Sequence, residues 1–224
     1  MNGVFRHHVI APKAGVVFPF TVEIMGAIVA GLVPKSGDAI LSVTGCGDQV
    51  FALLERGARV IAIDINPSQL TLLRERKEAL IRDDSLSGFY GSPILIEDCF
   101  KFQNRLKYFD NNRYYGLRKN LHNLEILPPI SLEEITAKRK FNKIYASDAI
   151  GELYSKDELG DCLLSIVRGL EDDGLLYVSN GPEINNLVED ISRCGLQKDL
   201  ELTLCARKLE DFYVPNVYRK VTEV

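Results

Sequence analysis

The sequence predicts an alternating α/β domain with a mainly parallel sheet and helices on both faces. Short apolar runs, typical of buried strands, alternate with longer amphipathic segments from residue 38 onward. The first run ends at a glycine-rich turn and the second ends at an acidic residue. This order brings glycines and a carboxylate to the carboxyl ends of neighbouring strands, where open α/β sheets bind ligands.

The predicted elements follow one another with short connections. The predicted strands are Asp38–Thr44, Ala58–Asp64, Asn123–Leu127, Phe141–Asp148 and Gly174–Asn180, with two more near Leu202–Leu209 and Val217–Val224. The predicted helices are Asp48–Arg56, Pro67–Arg82, Ser131–Lys138, Ser155–Leu170 and Glu183–Cys194. Pro67 suits a first helical turn, and Ser131 with Glu134 forms a capping-box pattern.

Two segments stand outside this alternation. Val16–Val33 is mostly apolar, but Pro19, Glu23 and its length argue against a membrane span, which needs roughly 20 clean apolar residues. The segment predicts a helix over Thr21–Leu32, which either packs in the core or lies over the ligand site of the sheet. We therefore divide the chain into an N-terminal helical segment, 1–36, and a ligand-binding domain, 37–224, with a mostly helical insertion at 85–122.

Composition indicates an ordinary soluble protein of the cytoplasm. The 224 residues carry a formal net charge of −4, which argues against nucleic acid and anionic membranes as partners. The five cysteines are odd in number and lack metal-ligand spacing, and the adjacent His7 and His8 make a poor metal pair. We expect no metal, no stable membrane insertion, and a monomer or homodimer.

The glycine turn and the second strand predict a nucleotide site. Gly45 and Gly47 allow the backbone to approach a ligand closely. Asp64, at the end of the second strand, can accept hydrogen bonds from both ribose hydroxyls of an adenosine, with Ile65 against the adenine. The alternative role for Asp64 is a helix cap, but Asn66 is better placed for it. The predicted binding residues are Thr44, Gly45, Cys46, Gly47, Asp48, Gln49, Asp64, Ile65, Asn66 and Gln69.

The residues that follow the two glycines indicate which adenine nucleotide binds. A dinucleotide site asks for a third glycine where this chain has Val50, and no G-K-[ST] follows the glycines as in a P-loop. S-adenosylmethionine (SAM) is left as the best ligand.

The segment TGCGDQVFALLERGARVIAIDINPSQLTLLRERKEAL, Thr44–Leu80, resembles the SAM:diacylglycerol 3-amino-3-carboxypropyltransferases of betaine-lipid synthesis. The shared marks are the T-G-x-G-D turn, the D-I-N-P segment and Gln69. The resemblance implies a Rossmann-like class I methyltransferase fold, which also has five alternating units and a final strand pair. It implies transfer of the 3-amino-3-carboxypropyl group, although that family's lipid enzymes are considerably longer.

The end of the first strand departs from ordinary methyltransferases, which usually carry an acid there for the methionine amino group. This chain has Ser42 and Val43. The methionyl tail of SAM is then held differently, by Asp48, Gln49 and the N-terminal helix. That position can expose Cγ next to the sulfonium to attack, and attack there releases methylthioadenosine. Transfer to a small-molecule acceptor ranks first, cyclisation of SAM to azetidine-2-carboxylate second and methyl transfer third. A non-catalytic nucleotide-binding module stays open.

Three further residues are candidates for the reacting centre. Asp148 ends the fourth strand and can accept a proton from an acceptor, although a turn residue beside Gly151 is the alternative. Tyr154 follows it, and Tyr177 lies in the fifth strand, where a core role is the alternative. A tyrosine face stabilises a sulfonium by a cation–π contact.

The segment Phe100–His122 interleaves basic and aromatic residues. It suits an anionic or membrane-borne acceptor, or single-stranded nucleic acid. A helical hairpin with solvated basic edges is the interpretation we favour, because the acidic balance of the chain opposes nucleic acid.

Overall fold

A computed structural model describes residues 21, 23–82, 108–109, 111–147, 150, 156–180, 194–210 and 213–221. Its strands are β1 Ala39–Val43, β2 Arg59–Ile63, β3 Leu124–Ile126, β4 Phe141–Tyr145, β5 Leu170–Asn180, β6 Leu196–Lys198 and β7 Val214–Lys220. Its α-helices are α1 Met25–Leu32, α2 Asp48–Glu55, α3 Pro67–Arg82, α4 Asn111–Asn120, α5 Leu132–Thr136, α6 Lys156–Gly169 and α7 Leu200–Arg207.

The strands form one sheet in the order β3-β2-β1-β4-β5-β7-β6. β1 to β5 run parallel, and β7 runs antiparallel to both β5 and β6. β1 and β4 lie side by side, with Ser42 opposite Tyr145, although two strands separate them along the chain. The order reverses between them, so the crevice at their carboxyl ends is the place where this topology binds ligands.

Sequence signals set several boundaries of the elements. α3 occupies the predicted range Pro67–Arg82. The capping box before α5 is present, since Ser131 Oγ accepts from the Glu134 amide and the Glu134 carboxylate accepts from the Ser131 amide, both at 3.3 Å. Buried apolar side chains cover both faces of the sheet, in one cluster that includes α1 and α2 and another that includes α5 and α6.

The N-terminal helix is shorter than predicted and lies flat on the sheet. α1 begins at Met25 and buries Met25, Ile28 and Leu32. A Cβ at Gly31 would stand 2.8 Å from the Tyr177 ring, so the helix approaches β5 closely. Residues 21 and 23, which precede α1, lie at the edge of the sheet and contact the candidate site.

The predicted strand at Leu202–Leu209 is wrong. The segment forms α7, capped by the Asp199 side chain, which accepts from the Leu202 amide at 3.0 Å. Thr203 and Ala206 are its buried residues, and their spacing of three is helical. The alternating leucines resemble a strand pattern, but Leu204 is exposed and the segment packs on α1. The final strand pair of the fold is instead β6 with β7.

The predicted insertion is only partly described. The stretch Asn111–Asn120 is helical, as predicted, and packs on α2. Residues 83–107 and 110 lie outside the described residues, and so do 181–193, which carry most of the predicted helix Glu183–Cys194. Within the described ranges, every helix is too short or too polar to cross a membrane.

Candidate functional site

The glycine turn joins β1 to α2 at the carboxyl edge of the sheet. Gly45 and Gly47 have φ angles of 45° and 91°, which lie in the left-handed region that favours glycine. The Gly47 amide closes the turn on the Thr44 carbonyl at 2.7 Å. A Cβ on Gly47 would lie 2.6 Å from Leu73 Cδ1 of α3, so glycine is required for its space as well as its dihedral angles.

Buried polar side chains hold this turn from below. Gln49 donates to the carbonyls of Val43 and Thr44, at 3.0 and 2.7 Å. Gln69 donates to the Gly45 carbonyl. Within the turn, Gly45 is the residue that is only half-buried. The turn is therefore fixed from the interior and presents its backbone at Gly45.

A buried ion pair adds a second support. Arg76 of α3 lies 3.5 Å from the Asp48 carboxylate and donates to the Cys46 carbonyl. The other Asp48 oxygen accepts from the Thr21 amide at 3.2 Å. Asp48 thus links the start of α2 to α3 and to the chain that precedes α1.

Asp64 stands next to this turn, just beyond β2. Its Oδ2 accepts from the Gly45 amide at 3.1 Å and its Oδ1 from the Asn66 amide at 2.9 Å. Burial raises the pKa of this carboxyl, while backbone hydrogen bonds oppose the rise. A carboxylate has about four acceptor positions, so the backbone amides that donate to Asp64, those of Gly45, Ile65 and Asn66, do not fill all of them.

The two residues after Asp64 have different predicted roles, Ile65 as an adenine contact and Asn66 as the cap of α3. Ile65 is 53% exposed, an apolar side chain open to solvent beside a polar site. Asn66 caps α3, because its Oδ1 accepts from the Ser68 amide at 2.9 Å. The cap at Asn66 is the one expected from the sequence, and it leaves the Asp64 carboxylate for the turn and the site.

The end of β1 carries no acidic side chain. Ser42 is fully buried, and its hydroxyl donates to the neighbouring Val43 carbonyl at 3.2 Å. The side chains of Thr44, Cys46, Asp48, Gln49 and Gln69 are also buried. Their direct contacts with a nucleotide stay a prediction. In this structure Gln49, Gln69 and Asp48 support the turn, whereas the buried Thr44 hydroxyl has no hydrogen-bond partner within the described residues.

A second polar group lies over β4 and β5, and we call it the Glu23 cluster. It consists of Glu23, Tyr145, Ser147 and Ser179. Glu23 is 5% exposed, and its Oε1 accepts hydrogen bonds from all three hydroxyls, with Tyr145 at 2.9 Å. Ser147 has a φ of 53°, a left-handed conformation that is uncommon for serine. Sequence reasoning missed this cluster, because its members are far apart along the chain and share no motif.

Tyr177 lies beside the Glu23 cluster, inside the sheet. Its ring stacks on the Tyr145 ring, with centroids 5.6 Å apart. Burial, and then the negative charges of Glu23 and Glu210, raises the pKa of Tyr177 well above its ordinary value. Its buried hydroxyl has no hydrogen-bond partner within the described parts of the chain. A catalytic role for Tyr177 stays a prediction, and the predicted Asp148 and Tyr154 lie outside the described residues.

A cavity of about 500 Å³ lies elsewhere, at the amino ends of the strands. Charged residues line it, among them Lys35, Asp38 and Lys143. Lys143 and Asp38 pair with each other inside it. Because the glycine turn and Asp64 lie at the opposite edge of the sheet, we do not assign the ligand to this cavity. The described residues hold no cluster of three or more side chains able to ligate a metal.

Solved structures resemble this chain along most of its length. A TehB-like SAM-dependent methyltransferase from Corynebacterium glutamicum has a TM-score of 0.55 at 15% identity, covering 89% of each chain. The [4+2]-cyclase SpnF has a TM-score of 0.56 at 11% identity, covering 89% of this chain and 80% of its own. Magnesium protoporphyrin IX methyltransferase (ChlM) from Synechocystis PCC 6803, with bound SAM, has a TM-score of 0.55 at 11% identity, covering 88% of this chain and 76% of its own.

The chain has the class I methyltransferase fold. At these identities the likeness concerns the fold, and the fold hosts more than one activity. No protein-family model matches the chain, and no curated protein matches it either. The resemblance to the aminocarboxypropyltransferases therefore stays a prediction drawn from Thr44–Leu80.

Proposed function

We propose that this protein is a SAM-dependent enzyme that transfers the 3-amino-3-carboxypropyl group to a small-molecule nucleophile and releases methylthioadenosine. The observation that carries the proposal is the end of β1, where Ser42 and Val43 replace the acid that ordinarily binds the methionine amino group. The sulfonium of SAM has three electrophilic carbons. The one attacked is the one held in line with the nucleophile at roughly 3–3.5 Å.

The nucleotide part of the proposal rests on the turn and Asp64. The Asp64 carboxylate is oriented by the Gly45 and Asn66 amides. In this proposal the carboxylate accepts hydrogen bonds from the ribose hydroxyls, and the exposed Ile65 side chain covers the adenine. The left-handed Gly47 leaves room for α3 against the turn, and the half-buried Gly45 backbone is open to the ligand.

The tail has a different set of neighbours. Over β1, the Gln49 side chain is committed to backbone carbonyls. In this proposal the amino and carboxylate groups of the tail extend toward the ends of β4 and β5. A tail that extends in this direction turns Cγ toward the groups that lie there.

Two other reactions at the sulfonium are second candidates. Cyclisation to azetidine-2-carboxylate needs no acceptor pocket and is favoured by the same missing acid, because a carboxylate paired to the α-amine would keep it protonated. Methyl transfer is supported by the solved structures with this fold, several of which are methyltransferases. The remaining alternative is a protein that binds the nucleotide but does not catalyse a reaction.

Product analysis separates these reactions. The protein is incubated with SAM alone and then with candidate acceptors, and nucleosides are identified by mass spectrometry. Methylthioadenosine formed only with an acceptor supports transfer, and methylthioadenosine formed with a new amino acid from SAM alone supports cyclisation. Adenosylhomocysteine as the main product overturns reaction at Cγ. Absence of turnover above a Gly47→Arg control favours a binding module.

Calorimetry tests the ligand itself. SAM and methylthioadenosine should bind, and NAD should bind more weakly than either. Failure of both adenosine ligands to bind, or tighter binding of NAD, would contradict the assignment.

A further inference from the structure

The cavity at the amino ends of the strands is a second place where this protein can bind a ligand. Its volume of about 500 Å³ lies in the range of small-molecule sites. Residues from the end of α1, the start of α7 and the first part of β4 and β5 line it. The glycine turn, Asp64 and the Glu23 cluster lie at the opposite edge of the sheet, so a ligand in this cavity is a different molecule from the nucleotide.

A buried ammonium lines this cavity with one N–H unused. Lys143, on β4, is 7% exposed. It donates to the Val33 carbonyl, just after α1, at 2.7 Å and to the Asp38 carboxylate. An ammonium has three N–H groups, and the third has no partner within the described residues. Because a buried charged donor is costly when an N–H lacks an acceptor, an anionic oxygen in the cavity would stabilise Lys143.

The carboxylate beside Lys143 also has an unused position. Asp38 is 5% exposed, and its Oδ2 accepts from the Lys35 amide at 2.9 Å and from Lys143. Its Oδ1 accepts no hydrogen bond from the part of the chain that the structure describes. Each carboxylate oxygen can accept about two hydrogen bonds, so Oδ1 is available to a cationic donor. A free donor and a free acceptor therefore stand side by side in the cavity.

The rest of the wall carries the same two kinds of polar group. Asn142 Oδ1 accepts from the Ala39 amide at 2.8 Å, while its Nδ2 donor has no partner among the described residues. Glu201, in the first turn of α7, is exposed and forms no ion pair with them. Three apolar residues complete the wall: Val33, Leu175 and Leu202. A simple anion or a simple cation would use only one kind of polar group, whereas a zwitterion uses both.

We propose that this cavity binds a small α-amino acid with an apolar side chain. Its carboxylate accepts from Lys143 and Asn142, and its ammonium donates to Asp38 Oδ1. An α-amino acid carries both charges on one carbon, which matches the adjacent free positions of Lys143 and Asp38. The side chain of the amino acid lies against the apolar part of the wall. This inference goes beyond the proposed function and does not depend on it, because neither the nucleotide nor its reaction enters it.

Calorimetry tests the binding directly. The protein without nucleotide is titrated with L-2-aminobutyrate, L-norvaline and L-methionine. It is also titrated with butyrate and propylamine, which are L-2-aminobutyrate without its amino group and without its carboxylate. At least one amino acid should bind at least about tenfold more tightly than butyrate and propylamine, because each of these lacks one charged contact. The proposal is overturned if no amino acid binds at up to about 10 mM, or if a compound with one charge binds as tightly.

Asn142→Asp tests the carboxylate end of the ligand. The variant keeps the oxygen that accepts from the Ala39 amide and replaces the free Nδ2 donor with a second carboxylate oxygen. Repulsion between like charges should weaken amino-acid binding at least about tenfold. Asn123→Asp is the matched control, since Asn123 is also half-buried but lies before β3, outside the cavity. The control should bind the amino acid as the wild type does.

Asp38→Asn tests the ammonium end. The asparagine oxygen can still accept from the Lys35 amide and from Lys143, while the amide nitrogen replaces the free oxygen and cannot accept from an ammonium. Amino-acid affinity should again fall at least about tenfold, because a charge-assisted hydrogen bond is lost. If this variant does not fold, Asn142→Asp decides the question, and wild-type affinity in that variant overturns the proposal.

Glu23→Gln separates the cavity from the reacting end of the sheet. Glu23 lies at the opposite edge, so this variant should bind the amino acid as the wild type does. If Glu23→Gln weakens the binding and Asn142→Asp leaves it unchanged, the amino acid lies at the Glu23 cluster and the proposal is overturned. The product analysis with SAM tests the proposed function separately, because the affinities for amino acids are measured without nucleotide.

Discussion

Over β1 and β2 the candidate site comes from one local stretch of chain, whereas over β4 and β5 it is assembled from side chains that are distant in sequence. The glycine turn and Asp64 are joined by amide hydrogen bonds, and both come from one continuous stretch of chain. The Glu23 cluster joins a carboxylate to three hydroxyls that lie more than 100 residues away in sequence. The half over β1 and β2 suits the nucleoside, the part of the ligand that does not react. The Glu23 cluster suits the reacting part, because a single substitution can change the cluster without altering the glycine turn.

The largest effect should come from the ion pair beneath the turn. Arg76→Leu removes the guanidinium that lies 3.5 Å from the buried Asp48 carboxylate, and breaking a buried pair costs about 3–5 kcal/mol. Denaturant unfolding measures the loss. Arg139→Leu, whose pair with Glu125 is half exposed, should cost less than about 1 kcal/mol. Equal losses in the two variants would contradict the role of Arg76 as a support of the nucleotide half.

Gly47→Ala should lower both the stability of the protein and its affinity for the nucleoside. Both this variant and Gly37→Ala force alanine into a left-handed conformation, with φ angles of 91° and 93°, at a cost of about 1–2 kcal/mol. Only at Gly47 does the added Cβ meet a neighbour, Leu73, at 2.6 Å, whereas at Gly37 it meets nothing within 4 Å. We expect calorimetry to show at least roughly tenfold weaker binding of methylthioadenosine for Gly47→Ala. Gly37→Ala should bind normally, and a shared loss would mean that strain alone is responsible.

Asp64→Asn should weaken binding of the nucleoside by about 1.5–3 kcal/mol, the value of hydrogen bonds to a charged group. Ribose hydroxyls donate to the ionised form, so wild-type affinity should fall as the pH is lowered through the pKa of Asp64. Burial raises that pKa above its usual value of 3.8, so the loss begins at a higher pH than for an exposed aspartate. Titration calorimetry at several pH values should show the dependence in wild type and its absence in Asp64→Asn. Asp161→Asn, at an exposed position, is the control and should keep the wild-type pH dependence. If the pH dependence of the affinity survives in Asp64→Asn, another titrating group causes it.

The smallest effect concerns the exposed side chain at the adenine position. Ile65→Ala should lower the affinity for methylthioadenosine by about 1 kcal/mol, roughly fivefold, because the ligand loses an apolar surface. The free energy of unfolding should change little, since Ile65 is 53% exposed. Ile81→Ala is a matched control at the far end of α3, with 58% exposure. If both variants bind alike, Ile65 does not cover the ligand.

Local patterns predicted most of the nucleotide half and most of the elements around it. β1, β2 and the intervening α2 follow their apolar runs to within a residue or two, and α3 follows Pro67 and its helical spacing. These signals are local: a glycine, a proline or a capping pair acts on residues within one turn. The strand predicted at Leu202–Leu209 was wrong because tertiary packing on α1 and the cap at Asp199 outweighed an alternating pattern.

By itself the sequence determined the α/β class, the glycine turn and the acid after β2, because each depends on neighbours along the chain. Only the tertiary structure decided which side chains meet over β4 and β5. Glu23 reads as one charge in an apolar stretch, and Tyr145 and Ser179 read as ordinary strand residues. The strand order places β4 against β1 and β5, and α1 packed on that sheet delivers Glu23 to their ends. The cluster therefore exists only once the fold brings these distant residues together.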